Sequence, residues 1–304
     1  MKSFDTSREN TKKEFPARIR FARWLGHQRW IPKGQDALLR MILNPDAGYD
    51  FPFEVDFFGC RYRGNTKSFL DWTVLFYGAY TPSELSVLDR VARYLRRQGR
   101  PVVYLDIGAN VGHHILFMSG LADRIYGFDP NRTVLERARE MIALNGIPNT
   151  MLYEIALGDR DETRAYFPPS TANEGSGSFL PDWPSKNSRS SIPLVVRKAD
   201  EFLAEQGIAD VGVVKIDVEG FEPAVLRGLK SVFERDRPFI LLELSVEGLN
   251  EIGGEAGLRA CLFDDATVLR VNGNYRFAHS LEPHRFEPRL CEVLIVPPDH
   301  LHLF

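Results

Sequence analysis

Val102-Val103-Tyr104-Leu105-Asp106-Ile107-Gly108-Ala109-Asn110-Val111-Gly112-His113-His114 is the stretch on which the fold turns. Val102 to Leu105 is uninterruptedly apolar, the pattern of a strand covered on both faces in a parallel sheet. Gly108 and Gly112 bracket a tight turn, and the apolar run at 115–121 suits a helix. Strand, glycine turn and helix in that order set a ring of backbone N–H groups at the strand's carboxyl end. Open α/β sheets bind nucleotide-like ligands there.

The same grammar repeats outward. Residues 124–128 read as a second short strand closed by Asp129-Pro130. Val134, Ala138, Met141, Ile142 and Asn145 then mark one helix face, stopped by Gly146. Residues 151–157 read as a third strand, followed by Gly158-Asp159. Three βα units in succession make the first half of a doubly wound sheet. Residues 192–196 return as a strand and 200–206 as a short helix. A fourth buried strand at 211–216 runs into Asp217-Val218-Glu219-Gly220-Phe221-Glu222, and Pro223 suits the first turn of the next helix. A fifth strand at 239–242 ends on Glu243, and 267–271 and 291–296 read as two closing strands. Upstream, Thr81-Pro82-Ser83-Glu84 is a helix start, carried on by Leu85, Leu88, Ala92 and Leu95 and ended by Gly99. The expected division is an N-terminal extension over 1–80 and an α/β domain over 81–304.

Composition sets the bounds. The 304 residues are 44% hydrophobic and 26% charged, ordinary for a globular protein. The net charge of −3 gives no general reason to expect nucleic-acid binding, but it is uneven: residues 1–40 hold ten Lys/Arg against four Asp/Glu. Cys60, Cys261 and Cys291 are odd in number and contain no C-x-x-C pair, which argues against a disulfide framework or zinc site. The start of the chain lacks a signal-peptide core, and runs such as 239–242 are too short to span a bilayer, so a cytoplasmic protein is expected. Residues 1–14 are polar and expected to fray. Residues 15–43 mix Arg18, Arg20, Arg23, Trp24, Arg29 and Trp30 with aliphatics, interrupted by Pro32 and Gly34. They read as an accessory helix, with peripheral contact to anionic lipid or a partner as the alternative. Residues 51–62 alternate as a small strand pair. The aromatic run at 69–80 serves packing first and a substrate lining second. Residues 168–191, rich in Pro, Ser and Gly, read as a mobile loop and lid.

Two constellations carry chemistry. The glycine turn is not the dinucleotide fingerprint, because Asn110 stands where G-x-G-x-x-G has its second glycine. Asp106 at the head of the turn would sit poorly beside two phosphates. Asp129, ending the second strand, is placed to accept bonds from ribose hydroxyls. Two acids at matching strand ends suit a nucleoside bearing an ammonium and a sulfonium, which is S-adenosylmethionine. Gly158 and Asp159 are placed to reach its adenine edge. The alternative for each acid is a structural cap or turn.

The second constellation is Lys215-Ile216-Asp217-Val218-Glu219-Gly220-Phe221-Glu222. Strand alternation puts Lys215, Asp217 and Glu219 on one side, and Glu243 emerges at the same rim. Burying such charges without function is costly. In methyl transfer to a hydroxyl, a positioned carboxylate takes the acceptor's proton or holds the acceptor in line. A structural ion-pair network around Lys215 is one alternative. Another is a divalent ion held by Asp217, Glu219 and Glu243. No metal ligand is assigned, since no His or Asn stands nearby in sequence to complete a site. His113 and His114 start the first helix, and His114 is taken as a candidate base.

These motifs resemble the FkbM-type methyltransferases: Leu105-Asp106-Ile107-Gly108-Ala109-Asn110-Val111-Gly112, Phe128-Asp129-Pro130, Ala156-Leu157-Gly158-Asp159 and Val214-Lys215-Ile216-Asp217-Val218-Glu219-Gly220-Phe221-Glu222. The similarity runs over about 80–245 and departs from the family at Asp129, where Glu is more usual. It implies an α/β, Rossmann-like, doubly wound, mostly parallel seven-stranded sheet of the class I methyltransferase type. It also implies S-adenosylmethionine-dependent transfer to a hydroxyl of a sugar, glycolipid or polyketide-type acceptor. Asp106, Gly108, Asn110, Gly112, Asp129, Gly158 and Asp159 would bind the cofactor. Lys215, Asp217, Glu219, Glu222, Glu243 and His114 would face a small-molecule, sugar or lipid-linked acceptor. A nicotinamide-dependent oxidoreductase and a non-catalytic cofactor- or glycan-binding module are the competing readings.

Overall fold

The computed structural model describes residues 15–28, 34–47, 49–167, 177–179, 191–273, 277–287 and 289–303. Residues 1–14 and most of the loop at 168–191 lie outside these, so the expectations of fraying and of a lid fall outside the described residues. The chain separates into two compact units, one ending at Thr81 and one beginning at Pro82.

The first unit contains α1 (Ala17–Gly26), α2 (Gln35–Ile42), the antiparallel hairpin β1 (Pro52–Phe57) and β2 (Cys60–Asn65), and α3 (Phe69–Tyr77). Gly34 sits before α2 with φ 83°, so the helical reading of 15–43 resolves into two helices. Ser68 caps α3 by accepting from the Asp71 N–H, and Gly78 ends it in the left-handed region. The aromatic run is core: Trp72 is fully buried, and its indole N–H donates to the Leu43 carbonyl at 2.9 Å. Buried Asp71 accepts from the Tyr62 hydroxyl at 2.6 Å and the Asn65 N–H at 2.8 Å, tying α3 to the hairpin.

The second unit opens with α4 (Pro82–Arg97), β3 (Val103–Ile107), α5 (His113–Met118), β4 (Arg124–Phe128), α6 (Arg132–Asn145) and β5 (Thr150–Tyr153). It continues with β6 (Ala156–Gly158), β7 (Glu162–Tyr166), β8 (Ile192–Lys198), α7 (Ala199–Glu205), β9 (Val211–Ile216), α8 (Glu222–Gly228) and α9 (Lys230–Asp236). It closes with β10 (Phe239–Leu244), α10 (Val246–Ile252), α11 (Gly254–Ala260), β11 (Thr267–Gly273), β12 (His279–Pro283) and β13 (Cys291–Val296). The large sheet runs β12-β11-β13-β10-β9-β3-β4-β5. Strands β10, β9, β3, β4 and β5 are parallel; β13, β11 and β12 pair antiparallel at the other side.

The sheet is the doubly wound architecture expected, with eight strands where seven were expected. The added strand is β12, a short edge strand whose polar sequence and terminal Pro283 carry little strand signal. A second correction concerns residues 151–157. The chain bends after Tyr153, and Ala156–Gly158 leaves the large sheet to pair with β8 in a separate three-stranded sheet ordered β6-β8-β7.

Chain order steps outward from β3 to β4 and β5, then returns to β9 on the far side of β3. That reversal makes the carboxyl ends of β3 and β9 the switch point of the sheet. Alternation then divides the faces. Val103, Leu105, Ile107, Val214, Ile216, Ile240, Leu242, Val293 and Ile295 join one buried apolar core. Tyr104, Asp106, Lys215, Glu243 and Glu292 therefore project from the opposite face.

Candidate active site

The turn after β3 is a run of left-handed residues: Gly108 (φ 86°), Asn110 (φ 48°) and Gly112 (φ 80°). The N–H groups of this turn bond within the fold: those of Gly108 and Ala109 donate to the Phe128 carbonyl at 2.9 and 3.0 Å and that of Gly112 to the Ala109 carbonyl at 2.9 Å, so the turn is held rigid rather than left with free donors. Gly108 is required by space as well: a Cβ there would lie 1.8 Å from the Asp217 carbonyl oxygen, so the turns after β3 and β9 meet backbone to backbone. Asn110 tolerates its conformation partly by accepting the Val111 N–H on its own side chain at 2.8 Å.

Asp106 is fully buried, and neither carboxyl oxygen has a hydrogen-bond partner. Burial pushes its pKa up to about 7, against the pull of the Lys215 ammonium 4.0 Å away. Asp129 is differently committed. Its Oδ2 accepts the Asn110 N–H at 2.9 Å and its Oδ1 the Asn131 N–H at 2.8 Å, which fixes the glycine turn from the next strand. Burial raises its pKa to about 6 although both bonds work the other way. The Asp129 charge is among those that raise Asp106 further.

Across the switch point, Lys215 Nζ lies 3.0 Å from Asp217 Oδ2. Burial works against the Lys215 charge, but the carboxylates of Asp217, Asp106 and Glu84 outweigh it and hold the ammonium protonated. Burial also opposes the Asp217 charge, and there Lys215 prevails, holding the carboxyl below its ordinary range. The Asp217 side chain is 33% exposed, so this ion pair has one open end. Beyond it, Glu219 (φ 50°) and Gly220 (φ 94°) form a left-handed tip. Buried Glu222 shapes that tip: its Oε1 accepts from Val218 N–H at 3.2 Å and Gly220 N–H at 3.0 Å. The Ser178 hydroxyl donates to the Glu219 carbonyl, bringing the described fragment 177–179 against the tip.

Glu243 completes this rim. Burial, then the charges of Asp217, Glu219 and Glu222, push its pKa up to about 10. His114 is buried at the start of α5, its Nε2 3.2 Å from Glu84 Oε2 but not aligned as a hydrogen bond. Burial and Lys215 hold its imidazole well below the usual range, hence neutral.

Two acids of this group escaped the sequence reading. In the sequence Glu84 reads only as a first-turn acid of α4. Glu292 faces Glu243 in register across β10 and β13, and burial with the charges of Glu84 and Glu243 pushes its pKa well up. The available signal was a lone acid in the otherwise apolar run Val293-Leu294-Ile295-Val296 and its neighbours.

Gly158 ends β6 of the small sheet and Asp159 follows it; a Cβ on Gly158 would lie 3.4 Å from the Phe221 ring, next to the tip after β9. A Cβ on Gly228 would come 1.9 Å from the Gly158 carbonyl oxygen, so α8 rests directly on β6. Asp159 Oδ2 is paired with Arg227 Nε at 2.9 Å. Among the described residues no group of three or more His, Cys, Asp or Glu side chains is arranged to hold a metal ion, so the divalent-ion alternative gains nothing from this geometry.

Sheet, switch point and acid-headed glycine turn together define a doubly wound α/β protein with its candidate ligand site at the carboxyl ends of β3 and β9. The chain's particular family follows from comparison. The model of the methyltransferase FkbM domain matches residues 106–271, more than half of the chain, and the chain belongs to that family of methyltransferases. It is 28% identical over 194 residues to the 2-O-methyltransferase NoeI of Sinorhizobium fredii (strain NBRC 101917 / NGR234), covering 59% of this chain and 76% of that protein. It is 24% identical over 143 residues to the hexuronic acid methyltransferase AglP of Haloferax volcanii, covering 47% of this chain and 55% of that protein. The crystal structure of methyltransferase FkbM from Methylobacillus flagellatus KT is similar at 14% identity and a TM-score of 0.42, over 64% of this chain and 43% of that one. No helix among the described residues is long and apolar enough to cross a membrane.

Proposed function

We propose that the protein methylates a hydroxyl of a sugar or sugar-containing acceptor, using S-adenosylmethionine. The observation that carries the reading is Asp106: a fully buried carboxyl at the head of the glycine turn, with no hydrogen bond to either oxygen and only the Lys215 ammonium 4.0 Å away. A buried acid whose hydrogen bonds are unmet is destabilising unless a ligand completes them. A cationic nucleoside does so, and Asp106, Gly108, Asn110, Gly112 and Asp129 are the residues that would hold it. The bound cofactor supplies an electrophilic methyl carbon on a sulfonium.

The chain's own part is to place the acceptor. Asp217, held ionised by Lys215 and open to the cleft, accepts the hydroxyl proton in a hydrogen bond and so aims an oxygen lone pair. The attacking oxygen turns strongly acidic as its new bond to carbon forms, so even a carboxylate held below its ordinary range takes the proton. Glu243, protonated near neutral pH, can donate a hydrogen bond to a neighbouring sugar hydroxyl. Relatives named for 2-O- and hexuronic-acid methylation support a sugar acceptor.

Asp106→Ala is expected to abolish cofactor binding. Asp217→Ala is expected to bind the cofactor normally while turnover falls by about 10²–10⁴-fold. Calorimetric titration with S-adenosylmethionine, alongside S-adenosylhomocysteine release over a panel of neutral and acidic sugars, tests both. Undiminished binding by Asp106→Ala would sink the reading.

A further inference from the structure

On the other face of the sheet, at its antiparallel side, lies a cavity of about 520 Å³. Arg270 of β11 opens into it, with Glu282, His284, Arg285, Glu287 and Arg289 among its walls. Arg270 pairs in register with Val293, which pairs with Leu242 of the apolar core face. The cavity is thus on the side of the sheet opposite Asp106, Lys215 and Glu243, and separate from the candidate active site.

Three observations say that something binds there. The first is charge: three arginines face two carboxylates, and the Glu287 carboxylate is engaged with Arg289 at 3.4 Å. Arg270 and Glu282 stand opposite each other across β11 and β12, yet no ion pair joins them. The second is unmet hydrogen bonding. Arg270 Nε and both ring nitrogens of His284 are shielded from water without a partner. Leaving such groups unpaired is destabilising, and a ligand oxygen relieves it. The third is backbone strain. Phe286 holds φ 52°, a conformation rare for an aromatic residue, in the segment that brings His284 and Arg285 to the same cavity as Arg270. The strained turn is anchored by His284 N–H donating to the Val268 carbonyl at 3.0 Å and by the Phe286 ring against His284 at 4.6 Å.

We propose that this cavity is an oxyanion subsite, taking the phosphate or carboxylate group of a sugar-sized ligand between Arg270 and Arg285, with His284 as a third contact. Guanidinium groups match either oxyanion by paired N–H donors. The volume lies within the range of small-molecule sites. Burial and Arg270 keep the His284 imidazole neutral, so it offers one donor without adding charge.

The full chain is titrated calorimetrically at fixed ionic strength with inorganic phosphate, with D-glucuronate, and with D-glucose as the uncharged control. Saturable one-site binding of one anion or both is expected, and none of glucose; which anion binds tells phosphate from carboxylate. Arg270→Gln and Arg285→Gln are each expected to weaken that binding by about ten-fold or more. Arg285 is exposed, so its variant decides the matter even if Arg270→Gln fails to fold. S-adenosylmethionine affinity, measured in the same variants, is expected to stay unchanged. Absence of saturable binding by either anion, or binding that Arg285→Gln leaves intact, overturns the proposal.

Discussion

Asp106 works against the fold that carries it. Its carboxyl sits at about 7 because it is buried, against about 3.9 in an unfolded chain. The folded state therefore holds more protons than the unfolded one between those values, and the stability linked to this group falls as pH rises through that window. Asp106→Asn removes the charge and keeps the shape. Its melting advantage over the parent, without cofactor, is expected to grow by about 2–3 kcal/mol from pH 5 to pH 8. Its affinity for S-adenosylmethionine is expected to drop about ten- to a hundred-fold, the worth of one charged hydrogen bond. Scanning calorimetry over pH and isothermal titration measure the two effects. Glu243 makes the converse case. With a pKa near 10 it is neutral under ordinary conditions, so Glu243→Gln imitates it and should keep activity within about threefold, whereas Glu243→Ala should lose about ten-fold through a missing hydrogen bond. Initial rates on both variants separate a protonated acid from a working carboxylate; a dead Gln variant refutes the former.

At the level of elements, the strands of the switch point were readable because buried parallel strands leave uninterrupted apolar runs and stop on acids. Lys215-x-Asp217 was readable because a strand's period is two. The bend after Tyr153 was not: residues 151–157 are apolar but for Glu154, which an edge strand tolerates, and only the pairing of Ala156–Gly158 with β8 splits them. Glu292 was hidden for a similar reason, since its meaning depends on register with β10 rather than on its own neighbours. Glu222 was legible as part of the acidic string, but not as the acid that holds the tip after β9. Because Oε1 accepts from both Val218 and Gly220 N–H, Gln at 222 preserves the geometry and Ala frees it. We expect Glu222→Ala to lower kcat about ten-fold or more with little change in cofactor affinity, and Glu222→Gln to restore most of it. A loss of cofactor affinity equal to the loss of kcat would place Glu222 in the nucleoside site instead.

Over the whole molecule, the perturbed groups combine into a pH profile. Raised carboxyls at Asp106, Asp129, Glu222, Glu243 and Glu292 favour a protonated folded state. Each contributes stability below its folded pKa that is lost as pH climbs toward it: about 6 for Asp129, about 7 for Asp106 and Glu222, and about 10 for Glu243. His27, His114, His279 and His284 are all held below their ordinary range, chiefly by burial. They act in the opposite sense: unfolding takes up protons below about 6.5, so stability falls as pH drops through that region. The two sets oppose each other between about pH 4 and 6.5. Above that the histidines are silent, and the carboxyls alone decide. The melting temperature of the free protein should therefore peak near pH 6–7 and decline toward pH 9. In Glu243→Gln the alkaline decline should flatten, because a group with a wide window no longer ionises. S-adenosylmethionine should raise the melting temperature more at pH 8 than at pH 6, since an ionised Asp106 is the form a cationic ligand needs. A profile that climbs steadily to pH 9, or a cofactor effect independent of pH, would show that these acids are not held protonated by burial.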